Sequence, residues 1–300
     1  MTLPNVRTLA VGLLFAFLQS RALLAQGRPI SIKGSDTMVL LGQRWAETYM
    51  KKNPSARIQV TGGGSGTGIA ALINGTTDVC ESSRPMKDKE KEAIKRKFGK
   101  DPVEIPVAVD GLAIYLNQSN ALNDLSLEQI RDIYTGRIKN WNEVGGKDLK
   151  IVLYSRENNS GTYAYFKEHV LENRDFQPAA QTLPGTAAVV NAVAKDPKSI
   201  GYGGIAYHSN IRTVRVKKDA SSPPIEPTME SVLNGTYPIS RNLFWYVTGE
   251  PQGETKRLID WVLGPEGQSV VKEVGYYPLP RQSTAPMTDT KKKVAKRKAT

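Results

Sequence analysis

Apolar residues along the chain follow two spacings, which predict two kinds of secondary structure. Short runs that are apolar throughout or at alternate positions predict β-strands over residues 30–32, 57–60, 103–109, 112–116, 151–154 and 242–247. Apolar residues repeated every three or four positions predict amphipathic helices over residues 126–134, 186–194, 254–263 and 265–274. Because the two kinds alternate, the pattern predicts an α/β fold with sheets flanked by helices.

Three short loops rich in glycine, serine and threonine run directly into helix-like patterns. They are residues 33–37 (KGSDT), 62–68 (GGGSGTG) and 159–162 (NSGT), and Arg156 precedes the third loop. A helix N-terminus carries unpaired N–H groups and partial positive charge, and glycine lets the backbone approach a ligand closely. One such loop is an ordinary helix cap. Three of them with an arginine nearby predict a cage for a small tetrahedral anion.

Two places in the chain have the pattern of crossings between lobes. Residues 109–111 place a glycine between two strand-like runs, and residues 237–239 follow a turn-forming Asn-Gly pair. We therefore predict a discontinuous first lobe, residues 28–110 with 238–280, and a second lobe, residues 111–237. A cleft between such lobes closes around its ligand by a hinge motion.

The N-terminal residues have the features of an export signal. The apolar run 9–18 is too short to span a bilayer comfortably, and Ala22 and Ala25 follow it. This pattern predicts a signal peptide over residues 1–25 that is cleaved during export. Cys80 is the only cysteine, so no intramolecular disulfide can form and no lipid-modified cysteine lies near the cleavage region.

The positive charge of the chain is concentrated at its C-terminal end. The formal net charge is +12, and residues 281–300 hold seven basic residues against Asp289. This segment is polar and has no apolar periodicity, so we expect a basic disordered tail. Such a tail is a candidate for contact with an anionic surface, and a solvated tail without a partner is the competing interpretation.

The sequence offers few residues for catalysis. His169 and His208 are the only histidines, and neither lies near a serine in a recognisable nucleophile motif. The glycine-rich loop fails the G-x-S-x-G pattern because Thr67 stands at the last glycine position, and it fails the Walker pattern because Ile69 stands where lysine is required. A single cysteine and unpaired histidines make no metal motif. We expect no catalytic residue, no metal, no cofactor and no specific nucleic-acid partner.

Charged residues at the ends of the strand-like runs are the remaining candidates for ligand contact. Arg84 and Arg156 are candidate bidentate donors to an oxyanion, against solvation or an ion pair as the ordinary interpretation of either one. Asp110 lies at the first predicted crossing and is a candidate to face the cleft. A carboxylate beside a bound anion requires that the anion carry a proton, which favours hydrogen phosphate over sulfate.

Five motifs in this order resemble those of the phosphate-binding proteins of bacterial phosphate ABC transporters (the PstS family). The motifs are GSDT (34–37), GGGSGTG (62–68), SSRPM (82–86), IYTGRIKNW (133–141) and SRENNSGTY (155–163). The resemblance extends over residues 30–280. It implies an α/β, two-lobed class II periplasmic binding-protein fold with phosphate held in the cleft between the lobes.

The resemblance also implies a set of ligand-binding residues. It identifies Ser35, Thr37, Ser65, Gly66, Thr67, Arg156, Ser160, Gly161 and Thr162. Where well-known members have the aspartate that accepts the phosphate proton, this chain has Ser83, followed by Arg84, as in the serine-arginine branch of the family. We therefore expect Arg84 to add positive charge and Asp110 to accept the proton.

Together these features predict an exported, monomeric phosphate receptor of the periplasm that delivers inorganic phosphate to the permease subunits of an ABC transporter. Three alternatives stay open. The first is a receptor for another oxyanion, such as sulfate, molybdate or a phosphonate. The second is a secreted phosphatase on a related scaffold. The third is a phosphate sensor or surface adhesin, for which the basic tail is the only indication.

Overall fold

The computed structural model describes residues 28–280. The strands in this range are β1 (Ile30–Gly34), β2 (Ile58–Thr61), β3 (Val79–Ser82), β4 (Pro102–Asn117), β5 (Asp124–Ser126), β6 (Val152–Arg156), β7 (Gln181–Leu183), β8 (Ser199–Gly204), β9 (Ile211–Thr213), β10 (Arg215–Lys217) and β11 (Ser240–Thr248). The predicted signal peptide over residues 1–25 and the predicted basic tail over residues 281–300 lie outside the described residues.

The helices of the described chain alternate with these strands, and the last two helices follow β11. They are α1 (Val39–Lys52), α2 (Ser65–Asn74), α3 (Asp88–Phe98), α4 (Leu127–Thr135), α5 (Gly161–His169), α6 (Gly185–Lys195), α7 (Met229–Leu233), α8 (Gly253–Leu263), α9 (Pro265–Val274) and a 3-10 helix, Trp141–Val144. Within residues 28–280, no helix combines the length and the apolar character needed to cross a membrane. The predicted mixed α/β class is confirmed.

The elements form close to where the sequence pattern predicts them. Ser126 caps α4 as expected: its side chain accepts from the Gln129 N–H, and the Gln129 side chain accepts from the Ser126 N–H. The two runs predicted as separate strands around Gly111 are one strand, β4. Gly111 stays in the ladder opposite Ser240 of β11, so the chain continues without a break.

Strand β4 joins the two halves of a nine-stranded sheet. The strand order is β2-β1-β3-β11-β4-β8-β6-β7, with β9 also paired to β4. Residues 102–111 of β4 pair with β11, and residues 112–116 pair with β8. We call β2, β1, β3 and β11 the β1 side of the sheet, and β8, β6 and β7 the β6 side.

The parallel strands of both sides point their carboxyl ends toward the middle of β4. On the β1 side, β1 is parallel to β2 and to β3; on the β6 side, β6 is parallel to β7 and to β8. Gly204, the last residue of β8, pairs with Leu112 in the middle of β4. Ligands of α/β folds bind at the carboxyl ends of parallel strands, where the connecting loops and helix N-termini lie. The topology therefore brings the loops of both sides together at one place.

Two main clusters of apolar side chains support the two sides of the sheet. On the β1 side, Trp45 of α1 packs edge-on against Trp245 of β11, with ring centroids 5.2 Å apart. On the β6 side, Phe166 of α5 stacks on Tyr202 of β8 at 3.9 Å, and Tyr134 of α4 meets both rings edge-on. Each of these aromatic side chains is fully buried, and such pairs hold the helices firmly against the strands.

A buried carboxyl group lies in the core directly below the loop that follows β3. Oε1 of Glu81 accepts a hydrogen bond from Nε1 of Trp245 at 3.1 Å, while Oε2 has no partner among residues 28–280. Room for the carboxyl comes from Gly42 of α1, where a Cβ would lie only 2.3 Å from Oε1. Burial raises the pKa of Glu81 to about 8, so this group is mainly protonated at neutral pH.

We predict that Glu81 makes the fold less stable as pH rises from about 5 to about 8. The folded state keeps a proton on Glu81 that an unfolded carboxyl releases, so alkali favours unfolding until the folded pKa is passed. One such group contributes up to about 1.4 kcal/mol per pH unit. In urea unfolding, Glu81→Gln should flatten this fall in the free energy of unfolding. The exposed Glu92→Gln should keep the wild-type slope, and an unchanged slope in Glu81→Gln would contradict the prediction.

Candidate functional site

Five hydroxyl side chains meet at the carboxyl ends of the strands; we call Ser35, Thr37, Ser65, Ser83 and Thr162 the hydroxyl cluster. Ser35 Oγ donates to Ser83 Oγ at 2.9 Å, and the Oγ1 atoms of Thr37 and Thr162 are 2.6 Å apart. Ser83 Oγ also lies 3.4 Å from Ser65 Oγ and 3.5 Å from Thr162 Oγ1. All five residues are buried. The sequence predicted four of them as ligand residues, and the structure brings those four together: three contact Ser83, and Thr37 contacts Thr162.

The hydroxyl cluster lies where three helices begin. Ser65 is the first residue of α2, Thr162 is the second residue of α5, and Thr37 lies two residues before α1. Unpaired N–H groups and the positive ends of the helix dipoles therefore surround the cluster, which favours negative charge. Gly64 caps α2 with φ +90°, a conformation that favours glycine, and so lets the chain turn sharply from β2 into the helix.

Arg156, at the end of β6, lies beside this region and is held by two hydrogen bonds. Its Nη1 donates to Thr186 Oγ1 at 2.7 Å, and its Nη2 donates to Asp36 Oδ2 at 3.0 Å. Its buried Nε has no hydrogen-bond partner among residues 28–280. Burial lowers the pKa of the guanidinium, against the opposing effect of Asp36, yet arginine stays protonated at physiological pH. The ion pair links the β6 side to the loop after β1.

Two tyrosines, the half-buried Tyr207 and the fully buried Tyr276, fix the backbone of that same loop. The hydroxyl of Tyr207 donates to the carbonyl oxygen of Asp36 at 2.9 Å, and the hydroxyl of Tyr276 donates to the carbonyl oxygen of Thr37 at 2.6 Å. Burial raises the pKa of Tyr207 to about 12 and raises that of Tyr276 well above its ordinary value. Both phenols are therefore neutral donors at physiological pH, and they hold the loop in one position.

A second arginine, Arg241, lies under the hydroxyl cluster and belongs to none of the predicted motifs. Arg241 donates from Nε and Nη2 to Asp110 Oδ2, at 3.0 and 2.8 Å. Its Nη1 donates to the carbonyl oxygen of Ser83 at 2.9 Å, and its Nη2 also donates to Thr162 Oγ1 at 3.0 Å. Asp110 Oδ1 accepts from the Ile205 N–H at 3.0 Å. Asp110 thus contacts Arg241 and the backbone; no hydroxyl of the cluster donates to it.

Arg241 and Asp110 are direct partners in the antiparallel ladder between β11 and β4. Asp110 lies at the first predicted crossing between lobes, and Arg241 lies just after the second. An arginine two residues after the second crossing, with an aspartate at the first, was the signal that the sequence offered for this pair. Ser83 was the other residue left outside the predicted site, although its place in the SSRPM motif indicated it.

The structure does not bring Arg84 to the hydroxyl cluster. Its Nη1 and Nη2 donate to the two carboxylate oxygens of Glu90, at 2.9 and 2.8 Å, and Nη1 also donates to the carbonyl oxygen of Pro85. Glu90 belongs to α3 and lies on the N-terminal turn of that helix. The charge of Arg84 is therefore balanced by a carboxylate outside the cluster, whereas Arg241 lies directly beneath it.

Two other predicted residues, Gly66 and Thr67, contact Asn159 across the two sides of the sheet, while the predicted Ser160 caps its own helix. The Gly66 N–H donates to the carbonyl oxygen of Asn159 at 2.9 Å. The Asn159 side-chain amide donates to the Gly63 carbonyl oxygen at 3.0 Å and to Thr67 Oγ1 at 3.3 Å. Ser160 Oγ accepts from the Tyr163 N–H and so caps α5. The contacts that Asn159 makes with the loop of residues 63–67 close the loop before α2 against the loop before α5.

The chemistry of the site is that of hydrogen bonding and charge. Among residues 28–280, no imidazole nitrogen or carboxylate oxygen is hydrogen-bonded to a hydroxyl of the cluster, so none of these hydroxyls has an adjacent general base. His169 instead stacks on Tyr165, and His208 contacts the Ile205 carbonyl oxygen. Hydroxyls, helix N-termini and arginines can together replace the hydration shell of a small oxyanion.

Comparison with known proteins gives a consistent set of relatives. A sequence profile described as a PBP superfamily domain matches residues 20–266. A protein named phosphate-binding protein PstS from Pseudomonas aeruginosa is 38% identical over 268 residues, covering 84% of this chain and 83% of that protein. A protein of the same name from Bacillus subtilis is 34% identical over 252 residues, covering 83% of this chain and 80% of that protein.

Solved structures with similar folds carry matching descriptions. A protein from Clostridium perfringens, assigned as a phosphate ABC transporter substrate-binding protein and solved with bound phosphate, has a TM-score of 0.76 at 32% identity; the match covers 84% of this chain and 100% of that one. An ABC-type phosphate transport receptor from Vibrio cholerae has a TM-score of 0.67 at 28% identity, with coverage of 84% and 100%. The predicted periplasmic binding-protein fold is confirmed by this similarity.

We predict that Gly161→Ala destabilises the closed arrangement of the site. A Cβ at this position would lie 2.3 Å from Ser65 Oγ and 2.7 Å from Ser83 Oγ, so the two sides would have to move apart. Overpacking of this kind costs about 1–3 kcal/mol. In urea unfolding, Gly66→Ala is the milder comparison, because its Cβ would come only within 3.1 Å of the Asn159 carbonyl oxygen. Equal stability of Gly161→Ala and wild type would contradict this packing.

Proposed function

The chain belongs to the PstS family of phosphate-binding proteins within the PBP superfamily, and from this premise we propose that it captures inorganic phosphate and delivers it to the permease subunits of an ABC transporter. The observation that carries the proposal is the hydroxyl cluster at three helix N-termini, next to the buried Arg156, whose Nε has no partner in the part of the chain that the structure describes. The matched relatives are named as binding proteins, which supports a receptor rather than an enzyme.

In the proposed complex, phosphate oxygens accept hydrogen bonds from the cluster hydroxyls and from Arg156. Within the described part of the chain, the buried Nε of Arg156 has no hydrogen-bond partner, which is costly, and a phosphate oxygen is an acceptor that would satisfy it. The N–H groups at the start of α5, including that of Gly161, are further candidate donors, whereas the Gly66 N–H already donates to the Asn159 carbonyl oxygen. Hydroxyls, helix dipoles and one arginine together would balance the charge of the anion.

We propose that the proton of hydrogen phosphate is accepted by a hydroxyl of the cluster and not by Asp110. Both carboxylate oxygens of Asp110 already accept hydrogen bonds, from Arg241 and from the Ile205 N–H. A hydroxyl can donate and accept at the same time. Ser83, which stands where other members of the family have an aspartate, is the candidate acceptor.

The two sides of the sheet would act as lobes that close on the anion. We propose residues 28–110 with 238–280 as the first lobe and residues 111–237 as the second, with β4 and the segment before β11 as the crossings. Ser35, Thr37, Ser65 and Ser83 come from the first lobe, while Arg156 and Thr162 come from the second. Because both lobes contribute donors, bound phosphate would favour the closed conformation.

The remaining parts of the proposal concern the setting of the protein. We propose that residues 1–25 direct export and are removed, and that the receptor works as a monomer in the periplasm. For residues 281–300 we propose contact with an anionic surface through their basic side chains.

The proposed function predicts that the protein binds inorganic phosphate tightly, with one phosphate per chain. The protein is freed of bound anions by unfolding and refolding, then titrated calorimetrically with phosphate and with sulfate. The titrations are done at one pH where the phosphate monoanion predominates and at one where the dianion predominates. If phosphate binds and sulfate gives no binding signal, the result supports a phosphate receptor in which a group of the site accepts the phosphate proton. Equal binding of both supports an unselective oxyanion receptor, and binding of neither contradicts the proposed function.

A further prediction concerns Arg84 and Arg156, the two arginines that the sequence analysis predicted as ligand residues. Arg156→Gln should weaken phosphate binding by about 10- to 150-fold, because a charge-assisted hydrogen bond is lost. Arg84→Gln should change the affinity less than about twofold, because Arg84 is paired with Glu90. Arg131→Gln is the control for general effects of losing a charge, because Arg131 lies on α4 and is paired with Glu172. A larger loss in Arg84→Gln than in Arg156→Gln would restore Arg84 to the site.

A further inference from the structure

We propose that Arg241 is a positioning residue that fixes the direction of the Thr162 hydroxyl and makes it an obligatory hydrogen-bond donor to the bound anion. This inference rests on the proposed function and deepens it, because it assigns a role in phosphate recognition to a residue outside the three glycine-rich loops. It depends on how Arg241 is held, on what Thr162 can do with its single hydrogen, and on where that hydrogen points.

Arg241 is held in one orientation. Its Nε and Nη2 both donate to Asp110 Oδ2, and the other oxygen of Asp110 is fixed by the Ile205 N–H. Its Nη1 donates to the Ser83 carbonyl oxygen. The guanidinium also lies over the ring of Tyr165, 5.2 Å from the centroid. With both side chains of the ion pair buried, the planar guanidinium has no freedom to rotate.

The Thr162 hydroxyl receives a hydrogen bond from this fixed group. Arg241 Nη2 lies 3.0 Å from Thr162 Oγ1. A guanidinium has donors and no acceptor, so Thr162 Oγ1 must be the acceptor in this contact. The one hydrogen of Thr162 therefore cannot point toward Arg241.

The direction left for that hydrogen is the hydroxyl cluster. The other polar neighbours of Thr162 Oγ1 are Thr37 Oγ1 at 2.6 Å and Ser83 Oγ at 3.5 Å, and both belong to the cluster. A positive charge on the oxygen side also polarises the O–H bond and strengthens it as a donor. Thr162 is thus aimed as a donor at the place where the anion is proposed to bind. A hydroxyl without this constraint could equally accept.

The contact also explains why a buried arginine is kept at this point. A buried ion pair by itself contributes little net stability, because both charges lose their hydration. Arg241 uses its remaining N–H groups on two cluster residues from opposite sides of the sheet, Ser83 on the β1 side and Thr162 on the β6 side. The pair therefore ties the orientation of the site to the closed arrangement of the two sides.

The test is a double-mutant cycle read by calorimetric titration with inorganic phosphate. Thr162→Val removes the hydroxyl with little change of shape, and Arg241→Lys keeps the positive charge but not the planar fork. Each single variant should weaken phosphate binding by about 10-fold or more. In the Thr162→Val background, Arg241→Lys should then cost less than about twofold, because the hydroxyl through which it acts is gone.

Thr162→Ser is the matched control, because it restores the hydroxyl. In that background the full effect of Arg241→Lys should return, which a purely structural role of Arg241 would not produce. Additive losses in the Thr162→Val background would overturn the inference. If Arg241→Lys does not fold, Asp110→Asn replaces it, since it removes the charged partner that holds the guanidinium, and the same dependence on the Thr162 hydroxyl is expected.

The outcomes also separate this inference from the proposed function. If the wild-type protein binds no phosphate, the proposed function fails and the inference fails with it. If wild type binds phosphate while the Arg241 and Thr162 effects are additive, or while Thr162→Val binds as tightly as wild type, the receptor stands and only the role of Arg241 is overturned.

Discussion

The buried ion pair between Asp110 and Arg241 lies where the two sides of the molecule are joined, and much of the site depends on it. Asp110 belongs to β4, the strand shared by both sides, and Arg241 belongs to β11, its antiparallel partner. From this position the pair contacts the loop after β3, the loop after β8 and the first turn of α5. Two charges that neutralise each other thus hold uncharged donors in place around the cluster.

The site is built from dipoles more than from net charge. Arg156 is paired with Asp36, and Arg241 is paired with Asp110, so each buried cation has a carboxylate beside it. Buried charges require such partners because an unpaired ion loses its hydration without compensation. The groups available to a small anion are then mainly hydroxyls and helix N-termini, which can be arranged around it without that loss of hydration energy.

Strand β3 belongs to both the core and the site, because its residue Glu81 contacts both. The carbonyl oxygen of Glu81 accepts the N–H of Ser35, while the Glu81 side chain occupies the space that Gly42 leaves next to Trp245. A change in the charge of this buried carboxyl therefore acts one residue away from the strand end that carries Ser82 and Ser83. The stability of the β1 side and the position of its hydroxyls depend on the same strand, β3.

The sequence by itself determined the fold class, most of the helices, five of the eleven strands within residues 28–280, and the three loops that begin helices. These features follow from local spacing: apolar periodicity sets the elements, and glycine with a hydroxyl residue marks a helix start. The resemblance to the PstS family, and not spacing, identified four of the five cluster hydroxyls as ligand residues. Only the tertiary structure decided the partners of the charged residues. Arg84 pairs with Glu90 on the next helix, while Arg241, more than a hundred residues away from Asp110, pairs with it across β4 and β11. Strand register and the nearest carboxylate in space decide which arginine reaches the site. Neither can be deduced from the residues that neighbour each arginine in the sequence.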